Sequence, residues 1–151
     1  MTDTKVILTE QSDDDEEFRK MFLPLIEYLK EVGCEKKKHS KGTRNLLHHL
    51  VSVSAILSER GASDDLCKAG LFHSIYGTSF YKNKTVSLDE RDKIKKLIGE
   101  WAETLVYEFC MLPKDRRSAI MKLENGPLRN DLADLAYANS DEQRIWKEKN
   151  N

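Results

Sequence analysis

Apolar residues recur at three- and four-residue spacing along most of this chain. The most constraining instance, Leu46, Leu50, Val53, Ile56 and Leu57, carries a histidine, His49, within its stripe. The spacing demands a helix with one face turned to a core, and an imidazole in that core costs free energy unless a partner binds it. A second apolar segment, Ala69-Gly70-Leu71-Phe72, ends on His73. Two inward imidazoles on consecutive helices make a candidate metal site.

The same period organises the rest. Acidic residues from Asp13 to Glu17 suit a helix start, and Phe18, Met21, Phe22, Leu25, Ile26 and Leu29 continue it to about Val32, with Gly33 as the stop and Pro24 as a place to kink. Residues 35 to 42 read as a polar, basic connection. Ser63-Asp64-Asp65 caps a third helix expected to end between Ser74 and Gly77, and residues 78 to 86 read as loop. Ser87-Leu88-Asp89-Glu90 matches a capping box, Gly99 interrupts, and Trp101, Leu105, Val106, Phe109 and Leu112 form a fifth stripe closed by Pro113. Shorter helices are expected from Asp115 to Leu123, from Pro127 to Ala138, and from Ser140, where Ser140-Asp141-Glu142-Gln143 repeats the capping signature. No strand alternation and no internal repeat is found. The class is therefore all-α: one compact domain of about six to eight helices over residues 13–149, preceded by a loose arm over 1–12.

Composition restricts function. A net charge of -1 on 34% charged residues provides no basic field for a nucleic-acid backbone. Cys34, Cys67 and Cys110 lack a paired spacing and read as reduced thiols. With neither a cleavable leader nor a bilayer-length apolar run, the expected setting is the cytoplasm, without membrane contact.

Helical phase ranks the ligands. His48 is rotated by about 100° from His49, toward Arg44 and Ser52, so His49 is the inward ring. His73 stands where a helix opens into a loop, and Tyr76 and Thr78 bring hydroxyls beside it. His39, in the basic run Lys36-Lys37-Lys38-His39, and its neighbour Lys38 are placed to meet an anionic ligand. A hard cation also needs a carboxylate; Leu128, Leu132 and Leu135 set the inward face of a late helix, with Asp131 nearer to it than Asp134, and Asn139 close by.

These residues resemble the HD-domain superfamily, whose metal-dependent phosphohydrolases carry a His on one helix, a His-Asp pair after a later helix and a distant Asp. Gly42, His49, Val53-Ser54-Ala55-Ile56-Leu57 and Ala69-Gly70-Leu71-Phe72-His73-Ser74 are similar to the pattern of the alarmone, (p)ppGpp-type hydrolases. Ile98-Gly99-Glu100-Trp101 through Val106, and Leu132-Ala133-Asp134-Leu135 with Asn139, resemble their downstream segments. A closer resemblance, over His39 to Thr78, is to an HD-like domain of unknown function that shares Ala-Gly-Leu-Phe-His-Ser. The chain departs from the hydrolases at Ser74, in place of the paired Asp, and at Gly77 and Thr78, in place of a Glu-Asp pair. A neutral hydroxyl neither offsets a cation's charge nor readily takes a proton near neutral pH, so the usual mechanism does not carry over.

The resemblance implies an HD-like domain that holds a divalent ion (Mn, Fe or Zn) on His49, His73 and Asp134 or Asp131. His39 would act as acid/base because its unperturbed pKa lies near working pH. Lys38, Ser74, Tyr76 and Thr78 would contact a small anionic or nucleotide-like substrate, which the domain would hydrolyse. The alternative is a catalytically silent HD-like module binding a ligand or protein. A third reading is an iron-dependent HD-like oxygenase.

Overall fold

The computed structural model describes residues 13–39 and 44–150, without the side chains of 13–15; the arm expected over 1–12 and Gly42 lie outside the described residues. Helix α1 spans Asp13–Glu31 as one element, Pro24 included. Its apolar stripe buries Phe22, Leu25, Ile26 and Leu29. The chain then turns through Gly33. The amide of Leu46 donates to the Lys37 carbonyl and that of Leu47 to the Cys34 carbonyl, which lashes the connection onto the start of the next helix.

Here the structure adds something the apolar pattern did not announce. Strand β1, Lys38–His39, pairs antiparallel with β2, Arg44–Asn45, in the register Lys38 with Asn45 and His39 with Arg44. A two-residue strand is too short for alternation to register as a signal. Its effect is positional: it brings His39 back beside the helix that carries His49.

Helix α2, Leu46–Glu59, is capped by Asn45, whose side chain accepts from the His48 amide. Helix α3, Asp64–Phe72, starts on the Ser63 cap expected for it and ends earlier than expected, with His73 as its C-cap. Ser87 opens a short 3₁₀ turn, Leu88–Glu90, that leads into α4, Arg91–Ile98. Gly99, at φ +95°, makes the break between α4 and α5, Glu100–Cys110, in a conformation that a side chain would strain. Helix α6, Arg116–Met121, is capped by Asp115.

The last element differs from expectation. Helix α7 runs unbroken over Pro127–Lys149, so Ser140 is mid-helix and caps nothing. Asn139 and Glu142 both lie on its buried face. The architecture is mostly α, with seven α-helices and one two-stranded ribbon among the described residues. None of the described helices is long and apolar enough to cross a membrane.

The most extensive helix contact is between α2 and α3, and both also pack on α7. Gly70 permits that approach: a Cβ added there would stand 2.6 Å from Leu57 Cδ1 and 3.5 Å from Val53 Cγ1. Leu57 and Val53 are themselves buried, so neither has room to withdraw. Gly70→Val is expected to lower unfolding free energy in urea by about 1–3 kcal/mol, the range for overpacking a filled core. A variant as stable as the parent would show that the α2–α3 contact yields.

Candidate functional site

Helical phase turns His49 inward from α2, and it is 1% exposed. His48, one residue earlier, is only partly buried and packs its edge on Trp146. His73, 2% exposed, reaches the same place from the end of α3. The two rings meet with His49 Nε2 and His73 Nε2 3.2 Å apart.

The groups behind each ring decide what that short distance means. His73 Nδ1 lies 2.7 Å from the Gly70 carbonyl oxygen, which can only accept, so Nδ1 carries the proton. His49 Nδ1 lies 2.7 Å from Glu142 Oε1. Arg44 and His49 hold the Glu142 carboxyl down at about 2 despite burial, so it is an anion and also accepts. Each neutral ring therefore presents an unprotonated Nε2 to the other.

A second proton on either ring would relieve the opposed lone pairs. Burial works against it, lowering the proton affinity of His49 and bringing that of His73 down to about 3, where the neighbouring rings and Arg116 add to the effect. A cation relieves them without protonation. The separation is close to the about 3.3 Å between two nitrogens bound at about 2.0–2.1 Å to one tetrahedral ion.

Glu142 is the hub behind the pair. Both Arg44 guanidinium Nη atoms donate to it, Nη2 to Oε1 at 2.7 Å and Nη1 to Oε2. Arg44 in turn lies over the Trp146 ring at 4.6 Å. One ionic hydrogen-bond network thus joins β2, α2 and α7, and its members Arg44, His49 and Glu142 are all buried. Asn139 Oδ1, Ser74 Oγ and the Tyr81 hydroxyl are buried without a hydrogen-bond partner among the described residues. Asn139 is close enough to His49 to raise its proton affinity.

Several expected roles change. The His39 ring stacks flat on His49, centroids 4.1 Å apart and 12° between planes, with Tyr81 on another side. Burial, with His49 and Arg44, lowers His39 to about 3, so it is neutral at working pH and too weak a base for the acid/base role. Tyr76 is committed elsewhere: its hydroxyl donates to Glu103 at 2.8 Å, in a buried cluster where Arg91 also binds Glu103. Thr78 Oγ1 accepts from the Phe80 and Tyr81 amides and closes a turn. Lys38 is exposed on β1.

Neither late aspartate joins the pair. Asp131 accepts from the Trp101 indole at 2.9 Å. Asp134 is exposed, and its electrostatic neighbours are Asp131 and Arg60. Both sit one or two helical turns before the part of α7 that faces the histidines. Among the described residues no set of three or more His, Cys, Asp or Glu is arranged to hold a metal ion. The centre is a pair.

The residues that sequence reasoning missed are Arg44, Glu142 and the Gly70 carbonyl. Glu142 had a legible signal: Leu128, Leu132, Leu135, Asn139 and Glu142 continue one three/four stripe, and a carboxylate on such a stripe demands a cation. Reading Ser140 as a cap hid it.

A family model described as a domain of unknown function (DUF6817) matches residues 28–114, more than half of the chain. That span includes His39, Arg44, His49 and His73, and Glu142 lies beyond it. Nothing among the curated proteins or the solved structures matches the chain.

The buried neutral rings make a pH prediction for the ion-free protein. An unfolded imidazole binds a proton below about 6.5, while native His73 does not until about 3, so between those values the unfolded chain holds more protons. Stability therefore falls as pH drops through this window. Chemical denaturation should give about 2 kcal/mol less stability at pH 5 than at pH 7.5 from His73 alone, with acid loss of Glu142 adding only below about 4.5. A flat profile from pH 7.5 to 5 would mean that His73 is not held neutral.

Proposed function

The chain belongs to the DUF6817 family, and from its paired imidazoles we propose that it is a divalent-ion-dependent, HD-like hydrolase of a small anionic substrate. His49 Nε2 and His73 Nε2 would hold the ion. The observation that carries the reading is the 3.2 Å approach of two nitrogens whose protons are both committed on the far side of their rings.

A bound ion supplies Lewis acidity, lowering the pKa of a coordinated water toward 7 and polarising a phosphoryl oxygen. The chain's own residues set the conditions for that. Glu142 and the Gly70 carbonyl fix both rings in the Nδ1–H form and raise their basicity as ligands, as acceptors behind metal-bound histidines do. Arg44 keeps Glu142 ionised, so the tautomer of His49 does not drift. His39 closes one face of His49 with a neutral ring and shields it from water. Ser74, with a buried hydroxyl lacking a partner, and Lys38, an exposed point charge, would meet the substrate. Two neutral nitrogen ligands favour zinc or ferrous iron over manganese.

A second reading, an ion- or ligand-binding module without turnover, is favoured by one observation: His39 is held far below neutral pH and leaves no strong base beside the pair. The oxygenase reading needs a carboxylate next to two histidines, and Glu142 faces the wrong nitrogen of His49 for that.

Protein stripped with a chelator and reloaded anaerobically should take up one equivalent of zinc or ferrous ion. Replacing both His49 and His73 by Ala should weaken uptake by about 100-fold or more. The loaded wild type should release phosphate from a panel of phosphomonoesters and phosphoanhydrides. Absence of stoichiometric ion in the wild type would end the hydrolase proposal; ion uptake without turnover would move it to the binding module.

A further inference from the structure

Arg116, the first residue of α6, is a half-buried cation that no anion answers among the described residues. Among the described residues its side chain makes no ion pair and no hydrogen bond, and its Nε is shut off from water without an acceptor. What it has instead are two aromatic rings. The guanidinium carbon lies over Phe109 at 4.4 Å from the ring centre and over Phe80 at 4.7 Å. Stacking of this kind engages the face of the guanidinium and leaves the N–H donors, which lie in its plane, unspent.

Among the described residues no carboxylate pairs with it. Burial depresses Arg116's own proton affinity, and the opposing electrostatic influence is a buried thiol, Cys110, which is itself pushed up to about 12 and so remains uncharged. Elsewhere the fold pairs its buried carboxylates with care: Glu142 with Arg44, Glu103 with Arg91. Leaving a desolvated cation without a partner is costly, which makes the exception informative.

Its place is equally informative. Phe109, under the guanidinium, packs its edge against His73 with ring centres 5.5 Å apart, and Arg116 lies near enough to depress His73 by its charge. The outer ring, Phe80, is 62% exposed. Ser74, which follows His73 in the chain, carries a buried hydroxyl without a hydrogen-bond partner.

We infer that Arg116, held between Phe80 and Phe109, is the receptor for a phosphate-type anion beside the His49–His73 pair. Its planar fork matches two phosphoryl oxygens at once, which a lysine cannot reproduce. The inference takes its place in catalysis from the hydrolase reading, but anion capture by Arg116 needs no ion and can be tested without one.

The probe is inorganic pyrophosphate, titrated into the full chain in excess chelator and followed by thermal unfolding and calorimetry. Pyrophosphate should raise the Tm of the wild type, less so as salt increases. Arg116→Met should weaken binding about tenfold or more, Arg116→Lys should fall between, and Arg117→Met, at an exposed neighbour, should match the wild type. Arg116→Met should also be at least as stable as the wild type without ligand, because it removes an unanswered charge; a purely structural stacking role would make it less stable. His49→Ala combined with His73→Ala should retain the pyrophosphate effect. Loss of ion binding would then leave this inference standing, and loss of anion binding would leave the ion site standing. No stabilisation of the wild type by millimolar pyrophosphate, or full binding by Arg116→Met, would overturn it. Should Arg116→Met show no cooperative unfolding, Arg116→Lys decides, and wild-type affinity in that variant counts against the inference.

Discussion

Glu142 carries a negative charge into a place from which water is excluded, and the centre of this protein is arranged around that fact. Arg44 answers it with two donors, and His49 answers it with its Nδ1 proton. Arg44 and His49 come from β2 and the α2 helix that follows it directly, and Glu142 from α7, so the pairing also fixes where the last helix sits on the first half of the domain. A buried ionic network is weak evidence of net stability, since desolvation offsets much of its attraction. Its clearer consequence is directional. By accepting a hydrogen bond from Nδ1–H, Glu142 leaves Nε2 of His49 unprotonated, 3.2 Å from Nε2 of His73, whose own Nδ1–H donates to the Gly70 carbonyl of the preceding turn. The unusual pair of facing lone pairs follows from acceptors placed behind the rings.

Much of this was legible in the residues because helix periodicity is a local property. The stripe through Leu46, Leu50 and Val53 sets the phase of α2, and the same phase puts His49 inside and His48 at the edge. Ser63 and Asp115 cap the helices that their side chains predict. Failures arose where local signals compete. Ser140 has the look of a cap, yet tertiary packing of Leu132, Leu135, Asn139 and Glu142 against α2 and α3 carries α7 straight through it. The ribbon that folds His39 onto His49 is held by two residues on each strand, too few to leave a pattern.

The expected acidic ligands illustrate a different limit. Helical phase puts Asp131 near the inward face of α7, but its side chain accepts from Trp101, and Asp134 is exposed near Arg60. Meanwhile the carboxylate that does reach the histidines arrives two to three turns later and addresses the far side of the ring. The outcome is a buried centre with two imidazole nitrogens 3.2 Å apart, an acid behind one of the rings, and the Arg116 guanidinium on Phe109, which packs against the other. Among the described residues such a centre lacks the full set of carboxylates that a hard cation takes.

The account depends on which nitrogens of His49 and His73 bear protons, and that is directly observable. Two-bond ¹H–¹⁵N correlation spectra of the ion-free chain at pH 7, assigned with His49→Gln and His73→Gln, report the tautomer of each ring. Both rings should be neutral with the proton on Nδ1, and added zinc should shift the two Nε2 resonances together. A proton on Nε2 of either ring, bridging the pair as an ordinary hydrogen bond, would contradict the account.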